Sequence, residues 1–462
     1  MPAKARPYQK EGVWDMEDFL EMGGGVLCAD DMGLGKTLQT LWLLRRERVG
    51  PMFPALVVCP ANVKYGWEHN AFEHVNIRAQ VLEGRKPPRS GFGRAQTKLT
   101  VINPDILAAW LPHLKRAGFQ TLVLDECHVF GNPTAKWTKA AMELSRRIPY
   151  RIALSGTPLT NAPGELWPSL NMIRPDQFKS LFAFADDFCR PKKEFGKWRY
   201  KGARNVGKLH TMLRRICMVR RLKEDVLHDL PEKVRQVVPM DLSDRAEYER
   251  ASTDFRGWLH MNYRDGKGRV NRAARAIAVV RAGYLVRLSA KLKARAVVGW
   301  ANRFLDEYPE EKLCLFGVQQ KMLRVLERRI NAKTVTVDGR VTGRRRRAAV
   351  DQFKLDDKTR VFVGNIKAAG VGIDGLQDVC NNLAFAELWP NPGTHVQAED
   401  RIYRIGQGNV AWINYLVAGG TVEEHLCRII QAKHQTIRAV LDGREVEGDM
   451  DVWDQLIAAM EN

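Results

Sequence analysis

Short, wholly apolar runs alternate with helical stretches through the first third of the chain. GVLCA (25–29) reads as a strand, and a helical pattern follows from Thr37 to about Arg48. ALVVC (55–59), LTVI (99–102), TLVLD (121–125) and RIAL (151–154) repeat the theme. A strand with one wet face alternates apolar and polar positions, whereas a continuous apolar run is buried on both faces, as in a parallel sheet. Helices between such strands make a doubly wound α/β unit. The rhythm lapses after about Leu159. Residues 160–300 read as mostly helical and basic, and neither RRICMVRRLKEDVL (214–227) nor the Arg-rich stretch 264–295 carries a clear strand series. It resumes with KLCLF (312–316), TVTV (334–337), RVFVG (360–364), NLAF (382–385) and AWINYLV (411–417). The expected fold class is α/β, with two tandem doubly wound parallel-sheet lobes and helical insertions. The expected boundaries are 1–175 for lobe 1, 176–305 for helical basic insertions and an inter-lobe linker, 306–435 for lobe 2 and 436–462 for a C-terminal helical segment. No low-complexity tail or appended module is recognised, so a bare core is expected.

Composition narrows the class of partner. The chain has 462 residues, 45% of them hydrophobic, which is enough to build cores and argues against wholesale disorder. Lys and Arg number 73 against 53 Asp and Glu, a net charge of +20. That surplus favours polyanions, with nucleic acid ahead of an anionic membrane surface. No stretch approaches the roughly 18–20 uninterrupted apolar residues of a membrane helix. The N-terminal sequence has no apolar signal core. The eight cysteines (28, 59, 127, 189, 217, 314, 380, 427) never fall within four residues of one another, so zinc-knuckle spacing is absent. A disulfide framework is not expected in a chain this long. The expectation is a reduced, intracellular, soluble protein without zinc, its thiols serving mainly as core filler.

Three strings carry candidate chemistry. DDMGLGKT (30–37) follows the first strand and opens a helix, the setting a phosphate loop requires. Backbone N–H groups from Gly33 through Gly35 to Thr37 can point at phosphate oxygens, Lys36 can neutralise the outer phosphates, and the Thr37 hydroxyl can ligate magnesium. The strict pattern fails at its first position, which is Asp30; the bland alternative is a glycine-rich turn with a chance Gly-Lys-Thr. LDECH (124–128) ends a later strand of the same sheet. Asp125 can hold magnesium there, and Glu126 can orient and deprotonate a water; alone, the pair could equally be surface acid. In THVQAEDRIYRIGQ (394–407), Gln397, Arg401 and Arg404 fall at i, i+4 and i+7, one face of a helix if the helix continues. Two guanidiniums one turn apart suit bidentate contact with a transferring phosphate, the arginine-finger arrangement. The alternative is a solvated basic helix in which Gln397 completes a capping box from Thr394.

Taken together, these strings resemble the motifs of a Swi/Snf-type ATPase of helicase superfamily 2. RPYQKEG (6–12) resembles the adenine-side motif, DDMGLGKT motif I, VVCPANVKYGWEHN (57–70) motif Ia, LDECH motif II and ALSGTPLTN (153–161) motif III. CLFGVQQKMLRVL (314–326) resembles motif IV, AAGVGID (368–374) motif V and QAEDRIYRIGQ (397–407) motif VI. The stretch 188–233 and FAELWPNPG (385–393) resemble the annealing-helicase (HARP-like) branch. The resemblance implies RecA-like lobes. It implies that Gln9 reads the adenine edge with Arg6 beside it, and that Gly372 approaches the nucleotide from lobe 2. It further implies that Ser155, Gly156 and Thr157 couple nucleotide state to lobe closure, with His128 linking motifs II and III and Gln397 acting in the same coupling. Candidate DNA contacts are Lys64 and Trp67 after motif Ia and Lys367 in motif V; the run Arg344–Arg347 is weaker. Two positions depart from the family pattern. Cys127 stands where Ala or Gly is usual, and Trp389 is displaced by one in Trp389-Pro390-Asn391-Pro392.

The function implied is an ATP- and Mg2+-dependent motor on double-stranded or forked DNA, translocating without durable strand separation and with little base specificity, since backbone contacts carry no sequence. Rewinding or fork remodelling follows by analogy with the branch. A monomer on DNA is expected, cytoplasmic and nucleoid-associated in a bacterial or phage setting and nuclear in a eukaryote. Two alternatives remain: a double-stranded-RNA-directed ATPase, because DECH also occurs there, and a non-catalytic nucleotide-binding DNA clamp.

Overall fold

The structure, a computed structural model, describes residues 5–461 apart from 47, 88–96, 160–161, 195–196, 264–271, 342, 370–372, 374 and 443–451. The chain divides into two compact units: Met1–Lys192 with Trp198–His228 and Ile437–Gly448, and Lys193–Lys197 with Asp229–Thr436 and Asp449–Asn462.

The first unit is built on strands β1 (Gly25–Cys28), β2 (Ala55–Val58), β3 (Ala79–Val81), β4 (Leu99–Ile102), β5 (Thr121–Asp125) and β6 (Tyr150–Leu154). After a two-stranded sheet of β7 (Arg190–Glu194) and β8 (Lys197–Lys201), β9 (Met218–Val219) returns to it. The order is β3-β4-β2-β5-β6-β1-β9, and every pairing is parallel. β1, β2 and β4 are buried along their whole length, as their unbroken apolar runs predict. The register aligns three strand ends: Leu154 pairs with both Cys28 and Asp125, so β1, β5 and β6 finish level. The loops leaving them emerge together at the carboxyl edge, where open α/β sheets bind ligands.

The second unit carries β10 (Lys233–Met240), β11 (Leu313–Gly317), β12 (Lys333–Val337), β13 (Thr359–Asn365), β14 (Asn382–Phe385) and β15 (Ala411–Ala418), in the order β10-β15-β14-β11-β13-β12. It too is wholly parallel. Phe316, Phe362 and Phe385 pack through its core, with ring centroids 6.2–6.4 Å from Phe316 to the other two. The fold class read from the hydrophobic pattern is the one observed.

The stretch 176–305 differs from its reading as helical insertion. It is shared between the units, and besides the β7–β8 pair it gives each sheet an edge strand, β9 and β10. Neither has the signature of a buried strand. β9 is two residues long, and β10 is exposed at half its positions and carries Pro239, tolerated where a strand has a free side. β3, likewise, is short and only half-buried. All eight cysteines are buried. Among the described residues no helix is long and apolar enough to cross a membrane.

Candidate nucleotide site

β1 delivers the chain into the glycine loop, and the helix Lys36–Leu44 starts directly after it. Gly33 and Gly35 have φ of +82° and +83°, left-handed conformations that favour glycine. A Cβ on Gly35 would lie 2.6 Å from Gln9 Nε2, so the turn is also closely packed. The Lys36 ammonium donates to the carbonyls of Asp30 (2.7 Å) and Asp31 (3.0 Å), which folds its side chain back over the loop. Thr37 is the second residue of the helix and partly exposed. The first-turn N–H groups of such a helix have no intrahelical acceptors and favour an anion.

Asp30 is fully buried, and its carboxylate accepts from Gln39 Nε2 (3.2 Å) and pairs with Arg221 (3.4 Å). Arg221 also pairs with Asp15. Arg220 donates to the Ala29 carbonyl at 2.9 Å, and the Asp31 carboxylate accepts from the Lys223 N–H at 3.1 Å. The segment following β9 therefore lies along the start of the glycine loop. Sequence reasoning missed these residues; the available signal was an Arg-Arg pair after the short CMV run, matched in charge to Asp30–Asp31.

Asp125 closes β5. Its Oδ1 accepts from the Glu126 N–H (3.0 Å) and its Oδ2 from the Trp67 indole (2.8 Å). Burial, then the charge of Glu126, pushes its pKa up to about 6, against the pull of the Trp67 hydrogen bond and of Lys36. Glu126 has φ +50° and ψ +54°, a left-handed conformation uncommon outside glycine. Its Oε2 lies 3.3 Å from His128 Nδ1, which is itself 3.2 Å from Ser155 Oγ. Ser155 Oγ accepts in turn from the Thr157 N–H at 3.2 Å. Burial acts to lower the His128 pKa, but the hydrogen bond and charge of Glu126 outweigh it and raise it. Gly156 packs on the glycine loop: a Cβ there would be 3.0 Å from Met32 N and 3.2 Å from Lys36 Nζ. Cys127 is buried, its thiol raised to about 12 by burial. Gln9, on the helix Pro7–Gly23, spends its amide on the Leu34 carbonyl (3.2 Å) and the Arg6 N–H (3.1 Å). One sheet edge thus gathers Gly33, Gly35, Lys36, Thr37, Asp125, Glu126, His128, Ser155, Gly156 and Thr157, with Arg6 and Gln9 behind the loop.

Two candidate DNA contacts require correction. Lys64 and Trp67 lie one turn apart on the helix Lys64–Val75, and that face points inward. Lys64 Nζ donates to the buried Leu82 carbonyl at 2.9 Å, and Trp67 is 2% exposed with its indole N–H on Asp125. Neither is available to a DNA backbone. Lys367 is exposed, its ammonium 3.4 Å from the ring centroid of the half-buried Trp389.

In the second unit the helix Pro392–Glu399 is capped by Asn391, whose side chain accepts from the Gly393 N–H at 2.9 Å. It ends before the arginines, so the shared helical face expected for Gln397, Arg401 and Arg404 is not formed. Backbone bonds from Arg401 to Ala398 and from Ile402 to Glu399 tighten the last turn, and Arg401 and Arg404 follow in irregular chain. Arg401 donates to the Ile373 carbonyl (2.8 Å) and to that of Gln397 (3.3 Å). The stop is anchored by Glu399, whose buried carboxylate accepts from Lys233 (3.1 Å), Arg235 (2.6 and 2.9 Å) and Tyr415 (2.8 Å). Burial alone would raise its pKa, but the two cations hold it far below the usual carboxylate range. Gly372 lies outside the described residues.

Two parallel α/β lobes, the first with a glycine loop, a carboxylate pair and a Ser-Gly-Thr turn on one edge, define the class of helicase-like ATPases. The chain belongs to the SNF2-related domain family, which matches residues 8–273, and a helicase conserved C-terminal domain matches residues 298–406. Over 438 residues it is 32% identical to the Caenorhabditis elegans SWI/SNF-related matrix-associated actin-dependent regulator of chromatin subfamily A-like protein 1 homolog, covering 92% of this chain and 60% of that protein. Over 481 residues it is 31% identical to the human DNA annealing helicase and endonuclease ZRANB3, covering 98% of this chain and 42% of that one. The chain thus spans about half the length of the curated relatives it matches. A solved Sulfolobus solfataricus SWI2/SNF2 ATPase core in complex with dsDNA aligns with TM-score 0.45 and 23% identity, over 98% of this chain and 95% of that one. The Swi/Snf-type reading of the motifs is correct, and annealing helicases are among its relatives.

Proposed function

We propose that this chain hydrolyses ATP to translocate on double-stranded or forked DNA without durable strand separation. The observation that carries the reading is the level ending of β1, β5 and β6, which brings Lys36, the Asp125–Glu126 pair and Ser155–Thr157 to one edge. The glycine loop and the helix behind it bind the phosphates, with Lys36 neutralising the outer charges. Arg6 and Gln9 flank the base side. Glu126 takes the proton of the attacking water, and its neighbour His128 passes the state of that carboxylate to Ser155 and Thr157. The residues fit a magnesium ion: Thr37 and the Asp125 carboxylate at the end of β5 are hard oxygen donors, beside a glycine turn with positive φ at Gly33 and Gly35. Bound there, the ion would neutralise charge on the transferring phosphate. Arg401 and Arg404 are assigned to the same phosphate and Gln397 to coupling, on the strength of their motif. Lys367 and the basic surplus supply the contacts to the DNA backbone. Annealing or fork remodelling is the form of work expected, by analogy with the relatives.

The test is ATPase rate against single-stranded, duplex and forked DNA and duplex RNA, followed by displacement of a triplex-forming strand from duplex DNA. Stimulation by duplex or forked DNA with triplex displacement is expected. Stimulation by RNA and not by DNA would overturn the substrate assignment.

A further inference from the structure

Trp67 sits in a stretch whose basic and aromatic residues read as a nucleic-acid contact, yet it is 2% exposed and packed within the core of the first unit. An indole has one polar atom, a donor. Here it is 2.8 Å from Asp125 Oδ2, while Oδ1 accepts the Glu126 N–H at 3.0 Å. Each carboxylate oxygen therefore has one fixed donor, which sets the plane of the group and leaves further lone pairs on both oxygens. The helix bearing Trp67 is pinned one turn earlier by Lys64, bonded to the Leu82 carbonyl at 2.9 Å. The indole itself is packed in the core of the first unit, which holds it against the carboxylate.

We propose that Trp67 is a positioning residue for the cation-holding carboxylate: it orients Asp125 for a divalent ion and sets the affinity of the site for that ion. The inference rests on the nucleotide-site reading above. Groups that hold a ligating carboxylate in place typically change metal affinity by roughly 10- to 100-fold when removed. Residues 60–70 would then act on the nucleotide side of the lobe through this one hydrogen bond.

The experiment uses the full chain with Trp67→Phe, which keeps an aromatic ring and deletes the indole N–H. Binding of a fluorescent (mant) ADP is followed by anisotropy as magnesium is titrated, without DNA, and again in EDTA. Binding of a labelled duplex is measured in parallel. The expected result is a half-saturating magnesium concentration raised on the order of tenfold, with nucleotide affinity in EDTA and duplex affinity as in the parent. An unchanged magnesium midpoint overturns the proposal. So does a loss of duplex affinity with an unchanged midpoint, which would return Trp67 to the DNA track. Should the phenylalanine variant fail to pack, Trp67→Met, apolar and adaptable, gives the same readout. If the parent chain itself binds mant-ADP without any response to magnesium, the nucleotide-site reading falls instead.

Discussion

Asp30 is a carboxylate with no exposed surface, standing where the strict phosphate-loop pattern has glycine. It is tolerated because Gln39 and Arg221 meet it, and the same Arg221 reaches Asp15. Removing one partner of a buried ion pair leaves an uncompensated charge, which typically costs about 3–5 kcal/mol. Arg221→Ala is therefore expected to destabilise the first unit by about 3 kcal/mol, read from its urea transition; a change below about 0.5 kcal/mol, usual for an inert surface site, would show that Asp30 does not depend on it. Glu126→Gln should keep mant-ATP binding and lower turnover by roughly 10²- to 10⁴-fold. Turnover at the parental rate would remove Glu126 as the base, and its loss as predicted excludes the non-catalytic clamp. The glycine loop around Lys36 is legible in the sequence because a strand end, a glycine turn and a helix start follow one another within a few residues, and Asp125 and Glu126 because they close an apolar strand run. Lys64 and Trp67 are not, because the face a helix turns inward is set by what packs on it.

The helix Pro392–Glu399 shows the same limit one level up. Its 3.6-residue period extends on paper through Arg401 and Arg404, but the chain leaves the helix at Glu399, where a buried carboxylate collects Lys233, Arg235 and Tyr415. Two of those partners lie on β10, the edge strand that the hydrophobic pattern conceals. The helix also buries His395, whose Nε2 lies 2.9 Å from the Trp389 carbonyl. Burial lowers its pKa from the ordinary 6.5 to about 4. Between these values the unfolded chain binds a proton that the folded unit refuses, so this contribution to stability is complete above 6.5 and falls as the pH drops toward 4. The loss is about 3 kcal/mol across that window. Urea unfolding at several pH values should show this component in the parent and not in His395→Phe. Equal pH dependence in the two would mean that His395 is not held neutral. Glu399 overlaps only the acid end of this window, because the contribution of its depressed pKa is lost as the pH falls below its ordinary 4.5, and it does so equally in both proteins.

For the molecule as a whole, the charge of +20 on 462 residues is a statement about partners. If duplex DNA is the track, the logarithm of affinity should fall linearly with the logarithm of salt concentration, with a slope of roughly −0.9 per phosphate engaged. Affinity should also be nearly the same for duplexes of unrelated sequence. Salt-independent binding, or a strong sequence preference, would contradict a backbone track. The two parallel sheets, their principal strands and the glycine loop between the first strand and its helix could be read from the amino-acid order alone, because each is announced by neighbours a few positions away. The partners of those residues could not. Trp67 meets Asp125 across 58 positions of sequence, and Arg221 meets Asp30 across 191. Contacts at such separations leave no trace in local periodicity and exist only once the sheet has set its strand order.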